Sequence, residues 1–324
     1  MTDNTVAPTV APLGRHGRGS TLTKNPVNTP RRRRSLNEMG PASLIRWIGP
    51  SVLLIVGVVI YPLVETALAA FRNFSITGAT KGWAGLDNFE TVLSNPSILQ
   101  VALNTALWVV CGVVITTVLA LPLGQLLSKH FPGRRVLRIA LIVPWATSVV
   151  MTAIGFRWIL NYYYGVLNPF LMQLGIIREP VDWLGNDDTV GPVMIAVVIF
   201  VSLPFTSFAV LAGLNTLSPS VLEAAQVDGA SRWQSYRHIT LPLLREPVMV
   251  TVLLNTMWIF NSFPIIYVLN KSNPGYGHDT TTTFMYKLAF LTEYDVGAGA
   301  AMAMINVLFL GVLVALYVRR TRLE

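Results

Sequence analysis

Polar and aromatic side chains lie inside two otherwise apolar stretches of the chain, and their chemistry is that of reversible binding. They are Ser202, Phe205, Thr206 and Ser207 in the charge-free stretch 189–222, and Asn255, Trp258, Asn261 and Ser262 in the charge-free stretch 247–270. Amides and hydroxyls exchange hydrogen bonds, and aromatic rings stack on flat apolar faces. A polar group in an apolar membrane segment faces either a wet cavity or another helix, so both a binding role and a helix-packing role are open.

Motifs for catalysis and for metal binding are missing from the sequence. There is no Gly-x-x-x-x-Gly-Lys-Ser/Thr loop, so the chain cannot cradle ATP phosphates itself. No Ser-x-x-Lys, His-Glu-x-x-His or Gly-x-Ser-x-Gly pattern occurs, and His278 has no second His or Cys close by. We therefore expect no catalytic residue, no metal and no cofactor bound by this chain.

The elements that must position these side chains are predicted to be membrane-spanning helices. The chain is 52% hydrophobic and only 12% charged, where a soluble protein is about 25% charged. A span needs roughly 20 apolar residues, and several charge-free stretches approach or exceed that length. The sequence thus predicts an all-α, polytopic membrane protein with six transmembrane helices, at about 47–68, 103–127, 138–158, 190–213, 247–269 and 297–318.

The basic residues indicate the orientation of these spans. With both termini in the cytoplasm, 18 of the 24 Lys and Arg residues lie in cytoplasmic segments, as the positive-inside rule expects. Residues 1–43 are polar, basic and without apolar periodicity, which predicts a disordered tail. Because Arg31 to Arg34 precede a span by about a dozen residues, attraction to anionic membrane lipid explains them better than nucleic-acid binding.

The connection between the fourth and fifth predicted spans, residues 215–246, begins with a helix and a turn. Ser218 is suited to cap a helix, and Pro219 suits the first helical position because its missing N–H costs nothing there. Helix-forming residues follow from Val221 to Val227. Asp228-Gly229 then supplies a turn that tolerates positive φ.

A second helix is predicted after that turn. Ser231 and Gln234 have the spacing of a capping box. We expect this helix to end before Leu241-Pro242, because a residue preceding proline is disfavoured in the helical region. Small residues predicted to lie on the exposed corner of the helix pair, where another surface could approach closely, are Ala224, Ala225 and Ala230.

Residues 223–244, EAAQVDGASRWQSYRHITLPLL, resemble the "EAA" loop of binding-protein-dependent ABC importer permeases. The similarity covers residues 45–320, and segments such as GLDNFETVL and GRRVLRIALIVPW resemble the carbohydrate-uptake branch of that family. One departure is Pro219, which falls one position later than is usual in the family. The resemblance implies the type I ABC permease fold in a bacterial cytoplasmic membrane.

The predicted spans, the distribution of basic residues and the resemblance together indicate how the chain is divided. Residues 1–43 would be the cytoplasmic tail, 44–70 the first transmembrane helix, and 71–102 a periplasmic loop. Residues 103–320 would form a five-helix permease core, with the coupling loop at 215–246. The segment NKSNPGYGHDTTTTFMYKLAF would be a further periplasmic loop, near the place where binding protein and substrate meet.

In such importers the loop docks on a separate ATP-binding cassette subunit, which binds the ATP and drives transport. The residues implied to carry that contact are Glu223, Ala224, Ala225, Asp228, Gly229 and Ala230. The other implied partners are a paralogous permease subunit, an extracytoplasmic solute-binding protein and membrane lipid, with no nucleic acid.

A sugar-like solute is likewise implied by the resemblance. Alignment through the loop gives contact positions on both flanking spans, and polar neighbours add two more; the set is Ser202, Phe205, Asn255, Trp258, Ile259, Asn261 and Ser262. Ile259 is apolar where the family would have an amide. Trp145, in contrast, is predicted to belong to an interfacial belt of aromatic residues together with Trp83, Trp158, Trp183 and Tyr162 to Tyr164.

Two other classes of membrane protein remain alternatives. An ion-coupled secondary transporter usually needs acidic groups within the membrane, and Glu65 at the end of the first span is the only candidate. A structural or receptor protein without a transport role is the other, and the loop motif argues against it.

Overall fold

The computed structural model describes residues 41–270 and 275–321 of the 324-residue chain. The chain divides into two compact units, residues 1–56 and 57–324. The prediction of a disordered tail over residues 1–43 lies outside the described residues, except that its last three residues already belong to a helix, which begins at Pro41.

Helices make up most of the described chain. In order they are α1 (Pro41–Leu54), a π-helical stretch (Ile55–Ile60), α2 (Tyr61–Ala69), α3 (Asp87–Leu93), α4 (Ile98–Ser128), α5 (Arg134–Ala146), α6 (Val149–Ile159), α7 (Leu167–Gln173), α8 (Asp187–Leu214), α9 (Pro219–Val227), α10 (Arg232–Ser235), a second π-helical stretch (Tyr236–Thr240), α11 (Leu241–Leu243), α12 (Arg245–Phe260), α13 (Phe263–Leu269), α14 (Thr281–Phe290) and α15 (Val296–Thr321). The one departure from the all-α prediction among the described residues is a short antiparallel hairpin of β1 (Arg72–Phe74) and β2 (Thr80–Trp83).

Among these helices are candidates for the six predicted membrane spans. Four uninterrupted helical segments are long and apolar enough to cross a membrane: Ile45–Ala69, Ile98–Ser128, Asp187–Leu214 and Val296–Arg320. Two bent pairs raise the number to six if each pair is one span. The described chain is thus a multi-span helical protein, as predicted. The two bent pairs are Arg134–Ala146 with Val149–Ile159, at 102°, and Arg232–Leu243 with Arg245–Phe260, at 62°.

The third predicted span, residues 138–158, is broken. α5 and α6 meet at an angle of 102°, and Thr147 and Ser148 between them have extended backbones. Pro144 contributes to this break because it has no N–H to bond back to the preceding turn. If this pair is one span, it crosses as two helices joined at a sharp bend.

The fifth predicted span, residues 247–269, is also interrupted. α12 ends at Phe260, and Asn261 and Ser262 leave the helical conformation before α13 begins. Pro264 lies in the first turn of α13, where its missing N–H has no helical partner to lose. Trp108 on α4 fixes this break by donating from Nε1 to the Ile259 carbonyl oxygen at 2.9 Å and to Ser262 Oγ at 3.2 Å.

α4 packs along α8, and this pair forms the centre of residues 57–324. A Cβ placed on Gly124 would lie 2.6 Å from Cγ1 of Val210, so only glycine permits this approach of the two backbones. α12 and α13 cover the pair and complete a buried cluster that includes Trp108, Val198 and Ile259. The central helices thus form a fixed frame for any site between them.

The segment between α13 and α15 was predicted to be a loop, but much of it is the helix α14. Asp279, only 1% exposed in its side chain, forms an ion pair of 2.6 Å with Lys287, which is 10% exposed. Asn104 on α4 donates from Nδ2 to the carbonyl oxygens of Gly277 at 2.7 Å and Asp279 at 3.1 Å. Capping of α14 by Thr280 and these contacts explain why the segment folds against the helices.

Candidate functional site

A cavity of about 390 Å³ lies between the α5–α6 junction, α8 and α12. The side chains that line it are Trp145, Val149, Val201, Ser202, Phe205, Leu254, Asn255 and Trp258. Four of the seven predicted solute-contact residues are among them, namely Ser202, Phe205, Asn255 and Trp258. Residues from two separate spans, the fourth and the fifth, are thus brought to one site, and the third span adds two residues that were not predicted.

Trp145 is one of four cavity residues that the sequence reasoning missed; the others are the aliphatic residues Val149, Val201 and Leu254. Trp145 was predicted to lie in the interfacial belt, but it stands at the end of α5 and lines the cavity. The break after Ala146 is what turns the chain at this point. Pro144 directly before the tryptophan, with Thr147 and Ser148 directly after it, was the available signal, because such a cluster disfavours a continuous helix.

The two polar side chains of the cavity belong to a chain of hydrogen bonds that links three helices. Asn255 on α12 donates from Nδ2 to Thr206 Oγ1 at 2.6 Å. Thr206 in turn donates to the Ser202 carbonyl oxygen at 2.9 Å. Ser202 Oγ lies 2.6 Å from the Val198 carbonyl oxygen and 3.1 Å from Thr116 Oγ1 on α4. Buried polar groups with this many partners hold their side chains in one orientation.

The remaining three predicted contact residues lie outside this cavity. Ile259 is fully buried in the core, and its side chain contacts Gly112 of α4. Ser262 is buried and donates to the Ile259 carbonyl oxygen at 2.6 Å. Asn261 is exposed and donates to the Met257 carbonyl oxygen of its own helix. Ile259 lies within α12 and faces α4, whereas Asn261 and Ser262 stand in the interruption between α12 and α13.

The coupling loop has the predicted helix and turn at its start. α9 begins at Pro219 and ends at Val227, and Gly229 has a φ of +79°. Glu223, Ala224, Asp228 and Gly229 are exposed to solvent. These four residues therefore form an accessible surface at the end of the fourth span.

Two of the small residues are not on the exposed corner where they were predicted. Ala225 is only 6% exposed, and its carbonyl oxygen accepts a hydrogen bond of 2.9 Å from the Ala230 N–H. Ala230 is half-buried. Closure of the turn by this bond draws both residues inward, so they can support the exposed surface without belonging to it.

The second helix of the loop starts as predicted and ends differently. Ser231 and Gln234 form the capping box, with Ser231 N donating to Gln234 Oε1 at 2.8 Å. The helical path does not stop before Leu241, which has φ −65° and ψ −43°. A π-helical turn precedes Pro242, and its wider ring of hydrogen bonds relieves the clash that proline causes in an α-helix.

A space of about 870 Å³ separates the loop from the end of α4. Gln125 and Lys129 line it on the α4 side, and Gln226, Arg232 and Tyr236 line it on the loop side. Side chains of the described residues leave this space unfilled, so the loop and the end of α4 are not packed against each other there.

No group of three or more His, Cys, Asp or Glu side chains that could hold a metal ion occurs within residues 41–270 and 275–321. His278 approaches one carboxylate, with its Nε2 at 3.2 Å from Oδ1 of Asp187. The pair lies outside the cavity.

The family indicated by the loop is confirmed by comparison with known proteins. Residues 112–322 match the family described as "binding-protein-dependent transport system inner membrane component". A "probable ABC transporter permease protein" of Brucella suis is 36% identical over 270 residues, which cover 83% of this chain and 93% of that protein. The diacetylchitobiose uptake system permease protein of Streptomyces coelicolor is 29% identical over 289 residues, covering 87% of this chain and 86% of that protein.

A solved structure has the same fold. It is the crystal structure of a bacterial ABC transporter involved in the import of the acidic polysaccharide alginate, with a TM-score of 0.76 and 22% identity. The match covers 86% of this chain and 94% of the other. The chain described here therefore belongs to the family of binding-protein-dependent transport system inner membrane components, the permeases of ABC transporters.

Proposed function

We propose that this chain is a permease subunit that carries a carbohydrate or sugar derivative into the cell. The observation that carries the proposal is the cavity between the α5–α6 junction, α8 and α12, with its three aromatic rings and its anchored amide and hydroxyl. Rings that stack on sugar faces, beside groups that bond to hydroxyls, are the expected lining of a carbohydrate site. Import of saccharides by the diacetylchitobiose and alginate systems supports this class of solute.

The energy for transport would come from ATP bound by separate subunits. The chain has no phosphate-binding loop of its own. The exposed residues Glu223, Ala224, Asp228 and Gly229 would contact an ATP-binding cassette subunit, supported from within by Ala225 and Ala230. The space between the loop and α4 would leave room for the loop to move.

The solute path would be completed by a second, paralogous permease, and solute would arrive from an extracytoplasmic binding protein. Both termini would face the cytoplasm, as the distribution of basic residues favours. α14 and the Asp279–Lys287 ion pair would then lie on the external side, opposite the coupling loop.

Ion-coupled transport is not favoured by the geometry of the site. The side chains lining the cavity include no Asp or Glu within the described residues, so none of them can carry a coupling proton or sodium ion as a carboxylate does.

Purification of the tagged chain from detergent-solubilised membranes, followed by mass spectrometry, tests the proposed assembly. We expect a second six-span permease and a protein with a Walker motif to co-purify. Glu223→Lys should reduce recovery of the ATPase, whereas Ser220→Lys, on an exposed position of the same helix, should not. Purification of the wild-type chain alone, under conditions that preserve a known importer complex, would contradict the proposal.

A further inference from the structure

Among the described residues, no charged side chain lines the cavity between the α5–α6 junction, α8 and α12. Its eight lining residues comprise three aromatic, three aliphatic and two neutral polar side chains. A charged solute group entering such a site would leave water without gaining an opposite charge. In a medium of low dielectric constant that loss is large, since even paired buried ions barely recover their desolvation cost.

The hydrogen-bond partners of Asn255 determine what its side chain can offer to a solute. Thr206 donates its hydroxyl proton to the Ser202 carbonyl oxygen, so it must accept from Asn255. This fixes Nδ2 of Asn255 toward Thr206 through one of its two protons, and it leaves Oδ1 without a hydrogen-bond partner among the described residues. Oδ1 is an acceptor, so it suits a group that donates a proton, such as a hydroxyl.

Ser202 shows the same bias toward accepting. Its hydroxyl has one proton, which it donates to the Val198 carbonyl oxygen at 2.6 Å. The contact of 3.1 Å with Thr116 must then be one in which Thr116 donates. Ser202 therefore has no proton left for a solute. Carboxylate, sulfate and phosphate oxygens only accept, and Ser202 has nothing to donate to them. The donors left in the cavity lining are neutral, namely the second Nδ2 proton of Asn255 and the indole N–H groups of Trp145 and Trp258, so none of them offsets a negative charge.

The aromatic side chains offer flat apolar faces to a solute. Trp145, Phe205 and Trp258 come from three different helical segments and face one cavity. The C–H faces of a pyranose ring pack on such rings, while its hydroxyl groups point outward as donors.

We infer that the solute carried through this cavity is an uncharged, hydroxyl-rich sugar, and that acidic sugars are selected against by the cavity itself. The inference rests on the proposed function. It sets this chain apart from the transporter whose fold it shares, which imports an acidic polysaccharide.

Direct binding to the complex, without the extracytoplasmic binding protein, tests the inference. The complex that co-purifies with this chain is placed in lipid nanodiscs, and equilibrium dialysis measures binding of radiolabelled maltose, cellobiose and diacetylchitobiose. Each is compared with an analogue in which one C6 hydroxymethyl group is oxidised to a carboxylate. We expect at least one neutral sugar to bind, and its acidic analogue to bind about a hundredfold more weakly at neutral pH.

A matched pair of variants places a positive charge inside or outside the cavity. Leu254 lines the cavity and is 47% exposed, whereas Val250, one turn earlier on α12, is 49% exposed and does not line it. Leu254→Lys should weaken binding of the neutral sugar and strengthen binding of the acidic analogue, each by about tenfold. Val250→Lys should leave the preference for the neutral sugar as in the wild type.

The outcomes separate the inference from the proposed function. Equal or tighter binding of the acidic analogue by the wild-type complex overturns the charge selectivity and leaves sugar import standing. A shift of preference by Val250→Lys as large as that by Leu254→Lys also overturns it, because the cavity wall would not be the cause. Binding of no sugar, neutral or acidic, by a complex with normal ATPase activity overturns both.

Discussion

Asn255 donates a hydrogen bond of 2.6 Å from its side-chain Nδ2 to the hydroxyl oxygen of Thr206, which joins α12 to α8 at the wall of the cavity. Both residues are almost completely buried, at 2% and 1% exposure. The fourth and fifth spans flank the coupling loop in the sequence. This bond therefore connects the two helices that the loop would move, at the level where the solute would bind.

Replacing Asn255 with leucine should destabilise the protein and impair uptake. The substitution removes the donor and leaves the buried Thr206 hydroxyl oxygen without a hydrogen bond to accept. The expected cost is about 1–3 kcal/mol in free energy of unfolding. Thermal unfolding in detergent, followed by uptake of the identified sugar, measures both effects. Asn261→Leu serves as the control, since Asn261 is exposed and bonds only within its own helix. Equal thermal midpoints for the two variants would contradict the role given to the bond.

Truncation of Trp145 should weaken sugar binding while Trp145→Phe largely preserves it. An aromatic face at this position would stack on the solute, and loss of such a contact costs about 0.5–1.5 kcal/mol beyond the buried area. Trp145→Ala should thus raise the Kd by about tenfold in equilibrium dialysis. Trp158→Ala, on the exposed surface of α6, is the control. An unchanged Kd for Trp145→Ala would return Trp145 to the interfacial belt that the sequence predicted.

Replacing Lys287 with methionine should destabilise the region around α14 strongly. It leaves the Asp279 carboxylate, which is 1% exposed, without its cation, and breaking one side of a buried pair costs about 3–5 kcal/mol. The double variant Lys287→Met, Asp279→Asn should recover part of the loss, because no charge is then buried alone. Thermal unfolding of the two variants checks this. A double variant less stable than the single one would argue against the buried-charge explanation.

Changes at the exposed surface of the coupling loop should separate ATP hydrolysis from uptake. Glu223→Lys reverses an exposed charge, and Gly229→Pro forbids the φ of +79° that the turn requires. We expect uptake to fall at least tenfold in both variants while the spans stay folded. ATPase activity of the purified complex and uptake into vesicles measure the two quantities in parallel. Normal uptake in both variants would remove the coupling role from these residues.

Much of the fold follows from the distribution of charged residues. A continuous apolar run of about 20 residues crosses a membrane as a helix, in which every backbone N–H and C=O bonds within the run, so the positions of the spans were predictable. The capping box at Ser231 and Gln234 was equally predictable, since it depends on local spacing alone.

The breaks in the third and fifth spans could not be predicted from hydropathy. Hydropathy depends on the side chain and does not distinguish an extended residue such as Thr147 from a helical one. These breaks decide which side chains reach the cavity. The first break brings Trp145 to the cavity, and the second places Ser262 in the core, where Trp108 contacts it. Ile259, still within α12, faces Gly112 of α4. The predicted residues Ser202, Phe205, Asn255 and Trp258 line the cavity, whereas Asn261 and Ser262, in the interruption of the fifth span, do not.

The most direct test of the account is the energy source for sugar uptake by the reconstituted complex. Proteoliposomes containing this chain and its co-purified subunits are given the binding protein and labelled sugar on the external side, with or without ATP on the cytoplasmic side. We predict uptake that requires ATP, continues when ionophores collapse proton and sodium gradients, and is lost with Glu223→Lys. Uptake that survives without ATP and depends on an ion gradient would contradict the account and identify a secondary transporter instead.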